Sequence, residues 1–357
     1  MVLLHARASC VGGASYPVSS CWSKTCDKVQ TFRSNFDGVR FRNLVPRRNG
    51  LRSLLRWMLT RRHGVWHHHS DAQPGPRPPR SSEALRVTFI NHSTFLLQLS
   101  GLNILTDPIW SERASPVTWA GPARFRPPGI RFEDLPPIDL VLLSHDHYDH
   151  LDLPTLQRLH EQHVPTIYAG LNTAPLLARH GIGNVVELDW WQETTARRDL
   201  WITAVPAQHF SARTPFDRDK RLWCGFIVQS EDTCIYFAGD SGIGPHIPQI
   251  AERFPRIDLA ILPIGAYLPE WFMSEMHMSP SEAVEAHLRL GARVSIASHF
   301  GTFDLADDGE EEPLEALRDA LQQKNLEGTE FTVLGFGEGC QIPLRSAPIR
   351  ERQQVAG

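Results

Sequence analysis

The sequence predicts an α/β fold, because short apolar runs with the character of strands alternate with segments of helical period. Ile138–Leu143 and Val294–Ser298 have the length and composition of buried strands. Leucines recur at helical spacing over residues 153–159, and Ser279–Glu282 has the pattern of a capping box with proline at the first helical position. The 357 residues, 41% hydrophobic and 21% charged, suffice for one large globular domain or two.

Residues 1–80 are predicted to form a basic N-terminal extension. They contain fourteen Lys and Arg but only three Asp, so their net charge is about +11. Because the whole chain has a net charge of −4, the remaining residues carry about −15. A basic arm on an acidic body suggests an anionic partner for the arm, either a membrane surface or a nucleic acid. We therefore predict three parts: this extension, a folded domain over residues 81–345 and a polar tail over residues 346–357.

One amphipathic helix is predicted within the extension. Its apolar residues repeat as i, i+3, i+4, i+7 and i+8 on one helical face: Leu51, Leu54, Leu55, Met58 and Leu59. Four arginines lie beside or beyond this face: Arg52, Arg56, Arg61 and Arg62. The apolar face either packs on the domain or lies in the interface of an anionic membrane, where the arginines would attract headgroups. The next residues, His67-His68-His69 and a Pro-rich segment over 74–79, are expected to form an extended, solvated linker.

The sequence predicts a cytoplasmic protein that can lie at a membrane surface. No run approaches the roughly 18–20 apolar residues that a transmembrane helix needs. The first residues are too short an apolar run for the core of a signal peptide. Six scattered cysteines suit reduced thiols better than a disulfide framework.

Polar residues follow most of the predicted strands of the folded domain. Strands at 87–90 and 95–99 are joined by Asn91-His92-Ser93, and a third strand at 103–105 ends just before Asp107. Later strands at 202–205, 233–238 and 294–298 end just before His209, Asp240 and His299. Glycines on both sides of Asp240 permit a close approach of the backbone at that point. The acidic run 304–312 is expected to be a solvated loop, since it lacks the ligand spacing of a calcium loop.

The segment after the strand at 138–143 carries the strongest chemical signal. It reads Ser144-His145-Asp146-His147-Tyr148-Asp149-His150. Because alternate residues of an extended segment point the same way, His145 and His147 can bind one metal ion together. Asp149 and His150 follow as the chain turns and can face a second ion. Neutral imidazole nitrogens and carboxylate oxygens are ligands that zinc accepts, so the segment predicts a metal site.

These residues resemble the signature of the metallo-β-lactamase superfamily. Two further segments narrow the resemblance to the branch of N-acyl-phosphatidylethanolamine-hydrolysing phospholipases D and their bacterial relatives: Gly121–Pro128 and Leu135–Val141. The resemblance extends from about Phe36 to Pro343. It implies the four-layered αβ/βα sandwich of the superfamily, where periodicity alone predicts only an α/β protein.

The resemblance also implies a site for two zinc ions. The ligands implied for one ion are His145, His147 and His209. Those implied for the other are Asp149, His150 and His299, with Asp240 as the bridging carboxylate. Asp107 matches an aspartate that lies beneath the ligands in the superfamily and braces their loop.

The implied reaction is hydrolysis, since two adjacent cations can activate water for attack on a phosphodiester, lactone, thioester or amide. Asp149 or Asp240 would accept the proton of the nucleophile. The segment Glu270–Pro280 closely resembles the phospholipase branch, which makes His277 a candidate to stabilise negative charge on the substrate.

Three functions remain open at the level of the sequence. The leading one is hydrolysis of the phosphodiester of N-acyl-phosphatidylethanolamine or a related phospholipid. The alternative is hydrolysis of a soluble ester such as a sugar-phosphate lactone. A role in nucleic-acid processing or binding ranks third, and no nucleic acid is expected because no appended domain of the nuclease type is visible. An apolar groove beside the metals would favour a lipid, and a closed polar pocket would favour a soluble ester.

Overall fold

A computed structural model describes residues 35–197, 199–326 and 330–343. These residues belong to one compact unit. The predictions made for residues 1–34 and for the tail at 346–357 lie outside the described residues. The separation of an extension at residue 80 from the domain that follows therefore stays a prediction.

Fourteen strands lie within the described ranges. Their bounds are β1 Arg86–Asn91, β2 Thr94–Leu99, β3 Leu102–Thr106, β4 Leu140–Leu143, β5 Thr166–Gly170, β6 Val185–Leu188, β7 Glu193–Arg197, β8 Leu200–Val205, β9 Gly225–Gln229, β10 Cys234–Phe237, β11 Leu259–Pro263, β12 Val294–Ser298, β13 Phe331–Thr332 and β14 Gly339–Gln341. They form two sheets of seven strands, in the orders β14-β1-β2-β3-β4-β5-β6 and β13-β12-β11-β10-β9-β8-β7.

Seven α-helices accompany these strands. They are α1 Leu51–Thr60, α2 Leu153–His163, α3 Ala174–Ala178, α4 His246–Arg253, α5 Glu270–Met273, α6 Pro280–Leu290 and α7 Glu312–Gln323. The predicted capping box is confirmed at the start of α6, where the Ser279 hydroxyl accepts from the backbone of Glu282 and the Glu282 carboxylate accepts from the backbone of Ser279. Gly291, with φ of +59°, ends the same helix.

The alternation of side chains along β4 shows how the layers form. Leu140 and Leu142 point into the core between the two sheets, whereas Val141 and Leu143 point into a second core under α2 and α3. On the other sheet, Ile247 of α4, Val284 of α6 and Leu317 of α7 pack against the strands as part of the same large apolar cluster, which extends through that sheet. Each sheet therefore has helices on its outer face, which confirms the predicted four-layered αβ/βα sandwich.

Parallel pairing brings the predicted polar residues to one edge. β3, β4 and β5 pair in parallel, so Asp107 and His145 leave neighbouring strands at the same end. β10, β11 and β12 are also parallel, which places Asp240 and His299 at a common edge of the second sheet. Gly239 lies just before Asp240 with φ of +59°, and a Cβ atom there would lie 2.4 Å from the Cβ atom of Ser144. Glycine thus lets the turn after β10 close onto the motif segment.

Helix α1 packs on the body through two of its residues. Leu54 and Trp57 lie against a small apolar cluster that contains Phe272 and Met273. The Trp57 ring stacks on Phe272 with centroids 5.2 Å apart, and its Nε1–H donates to Oδ1 of Asp307 at 2.8 Å. The other apolar residues of α1 are largely exposed: Leu51, Leu55, Met58 and Leu59, with exposed fractions of 72, 50, 63 and 87%. The helix is therefore packed along one stripe and exposed along another.

The acidic run 304–312 is not a solvated loop, so that prediction is wrong. Nη2 of Arg61 donates to Oδ1 of Asp304 at 2.7 Å. Glu310, only 7% exposed, contacts Nδ1 of His67 at 2.7 Å and Nε2 of His69 at 3.0 Å. The run is therefore the docking surface of the basic segment that follows α1, and part of the charge asymmetry is neutralised inside the protein.

The predicted linker, which comprises His67-His68-His69 and the Pro-rich segment 74–79, lies along the surface of the body. His68 stacks on Phe125 with ring centroids 4.6 Å apart, so the expectation that the three histidines are merely solvated is also wrong. The N–H of Gly75 donates to the carbonyl of Gly129 at 2.7 Å, and a Cβ atom on Gly75 would lie 2.4 Å from the carbonyl oxygen of Gly337. The absence of a side chain at Gly75 allows this close contact.

Candidate metal centre

The loops after β4, β8, β10 and β12 converge on one buried cluster of imidazoles and carboxylates. All seven residues predicted as metal ligands lie there: His145, His147, Asp149, His150, His209, Asp240 and His299. Their side chains come from both sheets, so the cluster spans the open end of the sandwich.

Three of the histidines turn ring nitrogens toward one another. Nε2 of His145 lies 2.9 Å from Nδ1 of His147, and Nε2 of His209 lies 3.2 Å from the same atom. The Nδ1–H of His209 donates to the carbonyl of Met276 at 2.9 Å. A carbonyl can only accept, so the proton of His209 is on Nδ1 and its Nε2 presents a lone pair to the cluster.

The orientation of His145 is fixed by a chain of hydrogen bonds that ends on Asp107. The Nδ1–H of His145 donates to the Ser144 hydroxyl at 2.9 Å, and that hydroxyl donates to Oδ2 of Asp107 at 2.5 Å. The same Asp107 oxygen accepts from Nδ1 of His150 at 2.6 Å. Asp107 is fully buried and thus holds the rings of two histidines with their Nε2 atoms directed inward. This is the position that the resemblance implied for it.

A second group gathers around Asp149. Nε2 of His150 lies 3.1 Å from Oδ2 of Asp149, and Nε2 of His299 lies 3.4 Å from it. His299 has φ of +62°, a left-handed conformation that only the surrounding contacts can hold in a non-glycine residue.

Asp240 occupies the centre of the cluster. Its Oδ2 lies within 4 Å of ring nitrogens from five histidines: His299 at 3.1 Å, His150 at 3.2 Å, His209 at 3.8 Å, and His145 and His277 at 3.9 Å. Its other oxygen, Oδ1, is buried and has no hydrogen-bond partner among the described residues. One carboxylate therefore touches both groups of histidines.

His92 belongs to this cluster, although the sequence predicts for it only a place in the connection between two strands. Nε2 of His92 lies 3.0 Å from Oδ2 of Asp149, and its ring centroid lies 4.1 Å from that of His299. The carbonyl of His92 also accepts from the backbone N–H of His299 at 2.8 Å. The available signal was its place in a short turn after a buried strand, the same position that other members of the cluster occupy.

His277 lies at the border between the cluster and the cavity above it. Its ring centroid is 5.0 Å from that of His209, and its Nδ1 is 3.9 Å from Oδ2 of Asp240. Burial lowers the pKa of His277 to about 4, even though Asp240 acts in the opposite direction. The imidazole is therefore neutral at pH 7 and has one N–H to donate.

The electrostatics of the cluster are those of buried carboxylates balanced by positive charge. Burial would raise the pKa of Asp240, but His150 and His299 hold it well below its usual range. Burial would lower the pKa of His299, but Asp240 and Asp149 raise it to about 9. For His145, burial and the neighbouring imidazoles both push the pKa well below its ordinary value. Two buried carboxylates thus demand positive charge nearby, and they raise the pKa of His150, whereas burial lowers the pKa of His145, His147 and His209.

The donor set fits borderline divalent cations. Nε2 of His150, Nε2 of His299 and Oδ1 of Asp240 are buried without a hydrogen-bond partner among the described residues. Buried polar atoms are costly unless they are paired. Nε2 of His145 and Nε2 of His209 both direct lone pairs toward Nδ1 of His147, at 2.9 Å and 3.2 Å, so one bound cation would satisfy all three nitrogens. Three imidazole nitrogens on one side, with two imidazoles and carboxylates on the other, are zinc-type ligands.

A cavity of about 610 Å³ opens directly over the cluster. His147, Asp149, Asp240 and His277 form part of its lining. Most of the remaining wall is apolar and includes Leu51, Leu54, Trp57, Phe272, Met273, Met276 and Leu305. Helix α1 therefore supplies part of the wall of the cavity.

Comparison with known proteins identifies relatives over most of the chain. The family model described as "Beta-lactamase superfamily domain" matches residues 102–300. N-acyl-phosphatidylethanolamine-hydrolyzing phospholipase D 1 of Caenorhabditis elegans is 37% identical over 271 residues, which cover 72% of this chain and 76% of that protein. The mitochondrial N-acyl-phosphatidylethanolamine-hydrolyzing phospholipase D of Saccharomyces cerevisiae is 34% identical over 236 residues, covering 64% of this chain and 50% of the yeast protein.

Solved structures agree with the fold. A metallo hydrolase from Ignicoccus hospitalis superposes with a TM-score of 0.56 at 21% identity, covering 73% of this chain and all of that one. An isothiocyanate hydrolase from Delia radicum gut bacteria gives a TM-score of 0.56 at 23% identity and covers 71% of this chain and 98% of that one. At these identities the likeness bears on the fold. The family model and the phospholipase relatives show that this chain belongs to the metallo-β-lactamase superfamily, in the branch of the N-acyl-phosphatidylethanolamine-hydrolysing phospholipases D.

Proposed function

We propose that this chain is a dinuclear zinc hydrolase of phosphodiesters that acts on N-acyl-phosphatidylethanolamine or a related phospholipid. The observation that carries the proposal is the position of Asp240. One of its oxygens contacts both groups of histidines at the floor of a large, mainly apolar cavity. Metal-dependent hydrolysis is consistent with the named activities of the relatives.

The residues present would hold two ions. One ion would be held by His145, His147 and His209, and the other by Asp149, His150 and His299, with Asp240 between them. When bound, such a pair of cations lowers the pKa of a water molecule and stabilises charge on phosphoryl oxygens. His92 would orient Asp149 through the hydrogen bond from its Nε2–H to Oδ2, a contact of 3.0 Å.

The chain itself would contribute a base and a hydrogen-bond donor. The neighbouring histidines keep the pKa of Asp149 and Asp240 well below the usual range although burial acts against this, so both are ionised at neutral pH. Oδ1 of Asp240, which has no hydrogen-bond partner among the described residues, is placed to accept the proton of the attacking water. The neutral ring of His277, at the cavity wall, is placed to donate a hydrogen bond to a phosphoryl oxygen.

The lining of the cavity favours a lipid over a soluble ester. Leu54, Trp57 and Phe272 form a continuous apolar contact on the wall that faces the cluster. Acyl chains that bind there would bury apolar surface, at about 25 cal/mol for each Å² removed from water. A sugar-phosphate lactone would leave this wall without a partner.

The test is hydrolysis of N-acyl-phosphatidylethanolamine in detergent micelles by the full-length, zinc-supplied protein. We expect phosphatidic acid and N-acylethanolamine, identified by mass spectrometry. The deacylated analogue, a glycerophospho-N-acylethanolamine, should have a kcat/KM lower by about 100-fold, because burial of ~110 Å² of chain already corresponds to about 2.7 kcal/mol. Equal rates on both compounds, or cleavage of a soluble lactone alone, would overturn the lipid assignment.

The exposed stripe of α1 also supports contact with an anionic membrane. Leu55 and Leu59 are exposed next to residues that line the cavity. Of the four predicted arginines, Arg61 is already paired with Asp304, and Arg56 lies over the ring of Trp271 at 4.6 Å. Arg52 and Arg62 are exposed and have no ion pair among the residues that the structure describes. Among those same residues, no helix is both long enough and apolar enough to cross a bilayer.

Vesicle binding should therefore depend on both lipid charge and α1. We expect co-sedimentation with vesicles that contain phosphatidylserine to exceed that with pure phosphatidylcholine by about 30-fold at low salt, since two cations contribute about 1 kcal/mol each. Added salt should reduce the difference.

The double variant with Leu55→Gln and Leu59→Gln should weaken binding to both vesicles. Leu288→Gln, which changes a leucine that is 43% exposed on α6, is the matched control. Equal, weak binding of all three proteins to both vesicles would leave α1 as a wall of the cavity only.

A further inference from the structure

Two arginines flank an aromatic ring at the rim of the cavity. The guanidinium carbon of Arg218 lies 4.3 Å from the ring centroid of Phe210, and that of Arg47 lies 5.0 Å from it. The Phe210 ring in turn lies 4.4 Å from the ring of His147. Both arginines line the cavity. The guanidinium of Arg218 is thus at most 8.7 Å from His147, the sum of two of these distances.

This arginine pair, Arg47 and Arg218, has more positive charge than its carboxylate partner neutralises. Asp219 accepts from Nη2 of Arg47 at 2.7 Å and lies 3.9 Å from Nε of Arg218. One carboxylate therefore serves two guanidinium groups. Arg40 adds further positive charge where Arg47 and Asp219 border a neighbouring cavity of about 310 Å³. Burial and the nearby Arg47 both lower the pKa of Arg218, as expected for charges that repel each other.

The pair also has unused donors. Nη1 of Arg47 is buried and has no hydrogen-bond partner in the described part of the chain. Arg218 approaches Asp219 only at 3.9 Å, which is too long for a hydrogen bond. Guanidinium groups present forked N–H donors whose geometry matches the oxygens of phosphate. Stacking on Phe210 restricts both side chains, so less rotamer entropy is lost when an anion binds.

We propose that Arg47 and Arg218 form a second anion subsite, which binds a phosphate group of the substrate other than the one that is hydrolysed. The assignment rests on the proposed function for the identity of the reacting phosphodiester. The upper limit of 8.7 Å from His147 suits two phosphates joined through a bridge the size of glycerol. The subsite therefore widens the proposed substrate class beyond N-acyl-phosphatidylethanolamine, to phospholipids whose headgroup carries a second phosphate.

The first test compares two lipids that differ by one phosphate, phosphatidylglycerol and phosphatidylglycerol phosphate, with the full-length, zinc-loaded protein. We expect the wild-type kcat/KM to be about 10- to 100-fold higher for the second lipid, the factor that hydrogen bonds to charged groups supply. Arg218→Gln should bring the ratio of the two kcat/KM values close to one. Arg179→Gln, which changes an exposed arginine at the end of α3, is the control and should keep the ratio of the wild type.

The second test uses calorimetry with inorganic phosphate on the same holoenzyme, so that its readout does not depend on turnover. We expect one class of phosphate site to weaken at least about tenfold in Arg218→Gln and in Arg47→Gln, but not in Arg179→Gln. Arg218 is partly exposed, so its variant should fold even if loss of the Arg47–Asp219 ion pair unfolds Arg47→Gln.

The outcomes separate this inference from the proposed function. Unchanged phosphate binding in Arg218→Gln, together with an unchanged ratio for the two lipids, overturns the subsite and leaves the arginines as a structural stack. Loss of phosphate binding without any wild-type preference between the lipids means that the site takes free phosphate, which overturns its assignment to the substrate. Loss of phosphate binding in a protein that hydrolyses no phospholipid refutes the proposed function but retains an anion site.

Discussion

Asp240→Asn should fold normally and lose at least about 1000-fold in kcat for phospholipid hydrolysis, as is typical when a charge that organises the reacting centre is removed. The amide keeps the size of the side chain but not its negative charge. That charge faces ring nitrogens from five histidines, two of which lie within 3.2 Å of Oδ2. Without it, cations would repel each other across the centre, and the proton acceptor at Oδ1 would be lost.

The measurement should combine turnover with metal content and thermal unfolding. Asp258→Asn is the matched control, because Asp258 is equally buried but lies just before β11, at the opposite end of the sheet from the cluster. We expect this control to lose stability but to retain turnover while it is folded. Wild-type turnover by Asp240→Asn with a full complement of metal would exclude Asp240 as the bridging carboxylate.

Removal of metal should have an effect at least as large. We expect elemental analysis of the purified, zinc-supplied protein to give two ions per chain, and a chelator to abolish hydrolysis. Stability should fall as well, because ions that bind only the folded chain stabilise it by about 4 kcal/mol when their concentration is a thousand times Kd. The buried atoms of the cluster would then lose the partners that offset their desolvation.

This prediction can be checked by restoring the metal. Zinc added to the chelated protein should return both turnover and the melting temperature, and His299→Ala should reduce the metal content toward one ion, because His299 belongs to only one of the two groups. A purified protein with well under one ion per chain after incubation with zinc would count decisively against the site as proposed.

The sequence alone predicted most of the fold and most of the cluster, for local reasons. A buried run followed by His145-Asp146-His147 specifies both a strand and the direction of its next side chains. The capping box at Ser279 marks the start of α6, and the glycine at residue 291 marks its end. Each of these features depends only on residues that are neighbours in sequence, so it can be identified from the sequence without the structure. The resemblance then supplied the four layers and the grouping of seven ligands.

Contacts between distant segments could not be predicted in this way. His92 joins the cluster because β1 lies in the same sheet as β4, and Asp149 is 57 residues away from it. A histidine in a short turn has no local signal for such a partner. The contacts of Phe210 could not be predicted either. This residue is adjacent in sequence to the predicted ligand His209, but Arg47 and Arg218 reach its ring only in the folded protein.

The acidic run shows most clearly what only the tertiary structure decided. By composition, residues 304–312 predict a solvated loop and the arm predicts an external anionic partner. In the folded protein Asp304 and Glu310 instead contact Arg61, His67 and His69, which are separated from them by more than two hundred residues. Composition determines that opposite charges are present. Only the packing of the chain determines which of them are close enough, and buried enough, for their attraction to exceed the screening by water and salt.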